Sequence, residues 1–331
     1  MNAPVRFSYA NARMRALKND LWEPIQISRL RAAPALSVPA PTDALEDLYP
    51  PLVRWYVTLL HACAPARAVL LAMFRRHEIE NLKLLWRSAV RGRALPSRCW
   101  RPLAPLDSLK PMRASSPAGL VELLKTTAYG HLAAETWRSH GSDLVAAELA
   151  MDAWVLSNLH DAAVGLPDRE APARDLLFAL LRERDLDILR RARDGYRLEP
   201  SFAVGLTTRL RREHRREALV ALAVWQPSRG ALVSVLPASL VHRYGEVKDW
   251  DDLMAALDRV RTAECRRLLM AWPFQIAPSI AALILREDQM RAWASLANAE
   301  CGVLNAESMN DRCSPKSALS TQHSAFEVRR A

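Results

Sequence analysis

The feature that most constrains this chain is an apolar stripe on the stretch RHEIENLKLLWRSAVRG, residues 76–92. Read as a helix together with the residues before it, the stretch sets Leu71, Phe74, Leu82, Leu85 and Ala89 on one face. Steps of three, four and eight are the helical period, not the strand period. Glu78 falls in the middle of that stripe and Asn81 at its edge. A carboxylate and an amide on a face meant for burial admit three readings: a catalytic acid, a buried structural pair, or the mark of a family.

The same period runs through most of the chain. Helices are expected at about 7–22, 44–62, 66–91, 202–225, 233–243, 249–270 and 277–298. Two more are expected from LVELLKTTAYGHLAAETWRSH and DLVAAELAMDAWVLSNLHDAA, and a third is opened by Pro172 and closed by Gly195. Proline-rich runs at 31–43 and 92–118 read as connections. Only 10 glycines and 6 phenylalanines accompany abundant Ala, Leu and Arg, so the fold class is all-α.

RHEIENLKLLWRSAVRG has a counterpart in LLRERDLDILRRARDGYRL and a weaker one in ILREDQMRAWASLANAE. Aligned with one another, they set Glu78 against Arg184 and Gln289, and Asn81 against Asp187 and Ala292. Leu82 falls against Ile188 and Arg87 against Arg193. The copies lie about a hundred residues apart, longer than common solenoid repeats. The chain divides accordingly into 1–114, 115–200 and 201–300, followed by a polar tail, 301–331, read as poorly ordered.

Several chemistries find no footing. HEIEN is not H-E-x-x-H, because Asn81 stands where the second His belongs. Five scattered cysteines form no C-x-x-C pair, so neither a disulfide frame nor a zinc site is expected. No G-x-x-x-x-G-K-[ST] loop and no G-x-S-x-G elbow occurs. Glu78 and Asn81 are therefore read as structural, with no catalytic residue, cofactor, metal or small-molecule substrate expected. The net charge of +10 comes from 46 basic residues dispersed among acids, the pattern of solvated helix faces. RLRREHRREAL is the densest cluster, and Arg211, Arg212, Arg215 and Arg216 in it are candidate contacts for an acidic partner. No signal peptide and no bilayer-spanning segment is expected.

Three stretches in order resemble the C-type stalk protein of V/A-type ATPases, the counterpart of the d-type protein in eukaryotic V-ATPases. They are FSYANARMRALKNDLW, FRRHEIENLKLLWRSAVRG and WPFQIAPSIAALILREDQMRAWASL. LLKTTAYGHL is similar to the family's Thr-x-Tyr turn, and ELAMDAW sets Glu148 and Asp152 like its Glu-x-x-x-Asp pair. The resemblance covers about residues 7–298. It implies three similar helical bundles in a funnel around a pseudo-threefold axis. It also implies a non-catalytic, peripheral subunit on the cytoplasmic face of the membrane, touching the membrane only through the rotor ring. Such a subunit is a socket between the central stalk and the ring in a proton- or sodium-translocating rotary motor. Glu78, Asn81, Leu82, Arg87 and Asp187 are then framework residues. Two other classes remain open on the residues alone: a helical-repeat scaffold outside the family, and a nucleic-acid-binding helical protein.

Overall fold

The computed structural model describes residues 7–17, 21, 44–93, 100–104, 109, 116–213, 215, 216, 219, 220, 247–271 and 274–291. Among them every regular element is a helix. They are α1 (Ser8–Leu17), α2 (Ala44–Ala62), α3 (Arg67–Arg91), α4 (Pro117–Leu124), α5 (Gly130–His140), α6 (Leu144–Val164) and α7 (Ala171–Arg190). There follow α8 (Pro200–Gly205), α9 (Leu210–Glu213), α10 (Trp250–Leu269) and α11, residues 277–291. The expected helix at 233–243, the tail 301–331 and Ala292 lie outside the described residues.

The chain falls into two compact units. The first joins Met1–Leu21 to Leu45–Glu287 and holds nearly all the described elements. The second comprises Trp22–Ala44 and Asp288–Ala331; its described part includes the last turn of α11, where Arg291 pairs with Asp288.

In the first unit α3 packs on α6, α6 on α7 and α7 on α10. α3 is more deeply buried than a single stripe implies. Val69, Leu70, Met73, Ile79 and Trp86 are enclosed as well as Phe74, Leu82, Leu85 and Ala89, while Leu71 is only partly covered. A helix apolar on several faces is an interior helix. α3 ends at Gly92, which takes the left-handed φ of 62° that glycine tolerates best, and its N–H returns to the Ser88 carbonyl. The chain bends by 114° between α2 and α3 at Cys63, and no single helix among the described residues is long and apolar enough to cross a membrane.

Three elements depart from the sequence pattern. The single helix expected from LVELLKTTAYGHLAAETWRSH is two, α4 and α5, parted by a turn at 125–129. The helix expected from 202 to 225 is broken: α8 and α9 are short, and 206–209 between them is not helical. At the end of α7, Gly195 does not supply the left-handed cap. The helix widens into a π turn over Arg191–Gly195, and Arg197 is the residue with positive φ, 52°. Tyr196 N–H then bonds the Arg191 carbonyl and Leu198 N–H the Ala192 carbonyl, which closes the wide turn.

Candidate functional site

The polar groups drawn into the first unit gather in three places, each joining distant segments of sequence. Between α3 and α6, Lys83 Nζ lies 2.9 Å from Asp152 Oδ1 and 2.6 Å from Glu80 Oε1. One turn further on, Arg87 binds Glu148 through both oxygens at 2.5 and 2.6 Å. Two bases four apart on α3 thus meet two acids four apart on α6, the spacing that puts each pair on one helix face. Asp152 also accepts from Arg191 Nη2 at 3.2 Å, and Arg191 Nε lies 3.2 Å from Asp187 without hydrogen-bond alignment. Burial pushes the Glu80 carboxyl up, but Lys83 and Arg101 overcome it and hold it at about 2. Burial lowers Lys83 and its two carboxylates more than restore it, so the net shift is upward.

Glu78 and Asn81 anchor the connections around that seam. Tyr129 Oη donates to Glu78 Oε2 at 2.6 Å, with both groups buried. The turn before α5 aims the tyrosine. Thr127 Oγ1 donates to the Leu124 carbonyl and accepts from Tyr129 N–H. At Gly130 a Cβ would lie 2.7 Å from the Lys125 carbonyl, so only glycine passes without a shift. Asn81 holds the backbone of the proline-rich connection: its Nδ2 donates to the Arg101 carbonyl at 3.0 Å and its Oδ1 accepts from Arg101 N–H at 2.9 Å. Leu82 is fully enclosed beside it.

Between α7 and the later elements, Arg261 on α10 binds Glu183 at 2.6 Å, and both are buried. Arg182 is bidentate to Glu213, at 3.0 and 2.9 Å. Asp185, wholly enclosed, accepts the backbone N–H groups of Thr208, Arg209 and Leu210, opening α9. Burial pushes its carboxyl up to about 6 against the pull of those three donors. Glu170 Oε2 accepts from Ile276 N–H at 2.8 Å, which ties the start of α7 to the approach to α11.

The third seam returns to the start of the chain. Glu287 on α11, 3 % exposed, takes two bonds from Arg76 at 3.0 and 2.8 Å. Tyr56 Oη donates to it at 2.5 Å, and His77 Nε2 lies 3.1 Å away. Burial alone raises the Glu287 carboxyl; Arg76, His77 and Tyr56 reverse this and hold it at about 2. Burial depresses His77 more than Glu287 raises it. Near the other end of α11, Asn11 Nδ2 donates to the Gln275 carbonyl at 2.7 Å and Asn11 Oδ1 accepts from Ser279 Oγ at 2.7 Å.

These contacts revise the alignment of the copies. α3 and α7 each follow a three-residue 3₁₀ turn, Ala64–Ala66 and Asp168–Glu170. Their first residues differ by 171 − 67 = 104 positions. At that offset Asn81 corresponds to Asp185 (185 − 81 = 104), and both side chains clasp backbone some twenty residues downstream. One further step of 104 reaches Gln289, also buried. Asp187, which the sequence alignment sets opposite Asn81, is instead 37 % exposed and pairs with Arg191.

The arginine cluster is divided. Arg209 lies over the Phe178 ring, 3.9 Å from its centroid, and pairs with Glu213. Arg212 is exposed yet reaches the His160 ring and lies 3.6 Å from Asp161. Arg211, Arg215 and Arg216 are exposed. Sequence reasoning passed over Lys83, Glu183, Asp185, Arg261 and Glu287. For Lys83 a signal existed: it is one of only six lysines among 46 basic residues, four positions before Arg87. Among the described residues no group of three or more His, Cys, Asp or Glu is placed to hold a metal ion.

Fold and site together define an all-helical protein whose interior charges fasten helix to helix. The chain belongs to the ATP synthase (C/AC39) subunit family, matched over residues 48–295, and that is a family of V/A-type ATPase subunits. No curated protein matches it.

Proposed function

We propose that the chain is the non-catalytic socket subunit of a V/A-type rotary ATPase, seated between the central stalk and the membrane rotor ring on the cytoplasmic face. In this reading 1–114, 115–200 and 201–300 are three similar helical bundles arranged as a funnel about a pseudo-threefold axis. The observation that carries it is the cycle of seams. Lys83 and Arg87 bind the first segment to Asp152 and Glu148 of the second. Glu183 binds the second to Arg261 of the third, and Glu287 of the third binds Arg76 of the first. A part that transmits torque needs segments that do not slip past one another, and each segment here is pinned to both others. The family membership supplies the complex in which such a part works.

Glu78, Asn81, Leu82, Arg87 and Asp187 belong to the framework in this proposal. Arg211, Arg212, Arg215 and Arg216 are the surface that meets an acidic partner. The test is a pull-down of the tagged chain from native membranes. Recovery of ATPase head and ring subunits supports the role, and their absence with the chain intact refutes it. Reversing the four arginines should weaken that recovery and make the remainder more salt-sensitive, because exposed charge contacts are screened within about 8–10 Å at physiological salt.

A further inference from the structure

Between α5, α6 and the 205–211 segment lies a cavity of about 280 Å³. Ala150, Ala153 and Gly205 leave the room for it. Ser139 and Ser157 line it with hydroxyls that have no hydrogen-bond partner among the described residues. Arg211 lines it too. Its guanidinium bonds the Gly205 carbonyl at 3.3 Å and has no carboxylate partner among the described residues. The single acid on the wall, Glu135, lies 3.6 Å from His131 on its own helix.

We propose that this cavity receives the carboxylate of an acidic side chain carried by a docking protein. A guanidinium fork matches a carboxylate bidentately, and the two serine hydroxyls can donate to its remaining lone pairs. The volume is just under the roughly 300–1,000 Å³ of small-molecule pockets, which suits a side chain better than a cofactor. Exposed Arg215 and Arg216 follow shortly after Arg211 in the chain and add positive charge to the same exposed segment, which favours an acidic partner. The proposal rests on the docking role above and deepens it by naming the chemistry one contact uses.

The experiment reloads purified full-length chain onto native ATPase membranes from which this subunit has been deleted. Wild type should load. Arg211→Glu and the cavity-filling Ala153→Phe should each lose about tenfold or more in affinity, the range for a broken charge contact. Arg211→Lys should fall between, because a lysine lacks the fork. Arg138→Glu, the same charge reversal on exposed α5 surface outside the cavity, should stay within about twofold of wild type, as expected of a screened rim charge. Should wild type load and both Arg211→Glu and Ala153→Phe load equally well, the proposal fails while the docking role stands. A wild type that never loads overturns the docking role and the recess with it. Titrating the free chain with sodium succinate and with sodium phosphate covers the other source. Submillimolar binding that Ala153→Phe abolishes makes the cavity a small-anion site and refutes the side-chain occupant.

Discussion

Glu287→Gln is the most exacting perturbation of this architecture. The substitution keeps the shape of the side chain and removes the charge that Arg76 and His77 face, together with one strong acceptor for Tyr56. Arg76 is 10 % exposed and Glu287 3 %, so solvent screens the pair little. Two routes give the magnitude. Leaving one member of a buried pair uncompensated costs about 3–5 kcal/mol. Holding the carboxyl at about 2 against an ordinary value of 4.5 amounts to about 3 kcal/mol at neutral pH. A carboxyl depressed in the folded state contributes its stability above pH 4.5, and that contribution is lost as pH falls toward 2. His77, depressed by burial, adds loss in the same direction as pH falls below its ordinary value of 6.5. Urea unfolding followed by tryptophan fluorescence at pH 7, 5.5, 4 and 3 reads both effects. Glu287→Gln should be less stable by about 3 kcal/mol at pH 7 and should lack the loss between pH 4.5 and 2. Arg76→Met combined with Glu287→Leu should be more stable than either single variant, because no charge is left alone. A Glu287→Gln protein with an unchanged midpoint and acid profile would refute the reasoning.

The other seams give independent tests. Asn81→Leu strands both polar groups of the Arg101 peptide and should cost about 1–3 kcal/mol, with faster hydrogen exchange at the Arg101 amide. Asn81→Asp keeps the acceptor and should exchange less fast at that amide. Lys83→Met removes the cation shared by Glu80 and Asp152, which keep Arg101 and Arg191 as partners, and should cost about 1–3 kcal/mol. Carbon-detected NMR should then find Glu80 titrating well above about 2, which moves its acid loss of stability to higher pH. Asp185 behaves oppositely: with its carboxyl raised to about 6, its contribution is full below pH 3.8 and is lost as pH rises through 6. Asp185→Asn should flatten that window and speed exchange at the Thr208, Arg209 and Leu210 amides, since an amide offers one acceptor oxygen where the carboxylate offers two.

The helices were legible where their signal is local. Spacing alone located α2, α3, α7 and α10 to within a few residues, because apolar period, Pro at helix starts and Gly92 at an end act over one or two turns. The α4–α5 break was legible only as a Thr-x-Tyr turn, since nothing local requires Gly130 to pass so close to the Lys125 carbonyl. Gly195 misled because a π turn carries the chain past the expected cap and places the left-handed residue at Arg197. The arginine run misled for another reason: Asp185, 24 positions upstream of Arg209, sets where α9 begins. The seams were half legible. Glu148 and Asp152 stood out as a spaced pair through the family resemblance, but their partners lie 61 and 69 positions away, and the spacing of Lys83 and Arg87 does not say which acids they meet. Glu287 reaches Arg76 over 211 positions, a distance at which a single sequence says nothing of contact.

On the three-segment reading proposed above, the Leu-rich helices face an ambiguity that apolar packing cannot remove, because a leucine face accepts any other. The charges discriminate. At the first seam the bases stand on the first segment and the acids on the second. At the second, Glu183 of the second segment meets Arg261 of the third, while Arg182 and Glu213 run the opposite way. At the third seam the acid stands on the third segment and the bases on the first. Seating the Lys83–Arg87 face of α3 against the Arg261 face of α10 would bring cations together in the interior. Burying like charges costs far more than a mismatched leucine contact. The interior charges therefore do not chiefly add stability, since a well-packed apolar replacement can match them in energy. What they add is a large gap between the right pairing of helices and the wrong ones, in a chain whose Leu-rich helices would otherwise fit one another too freely.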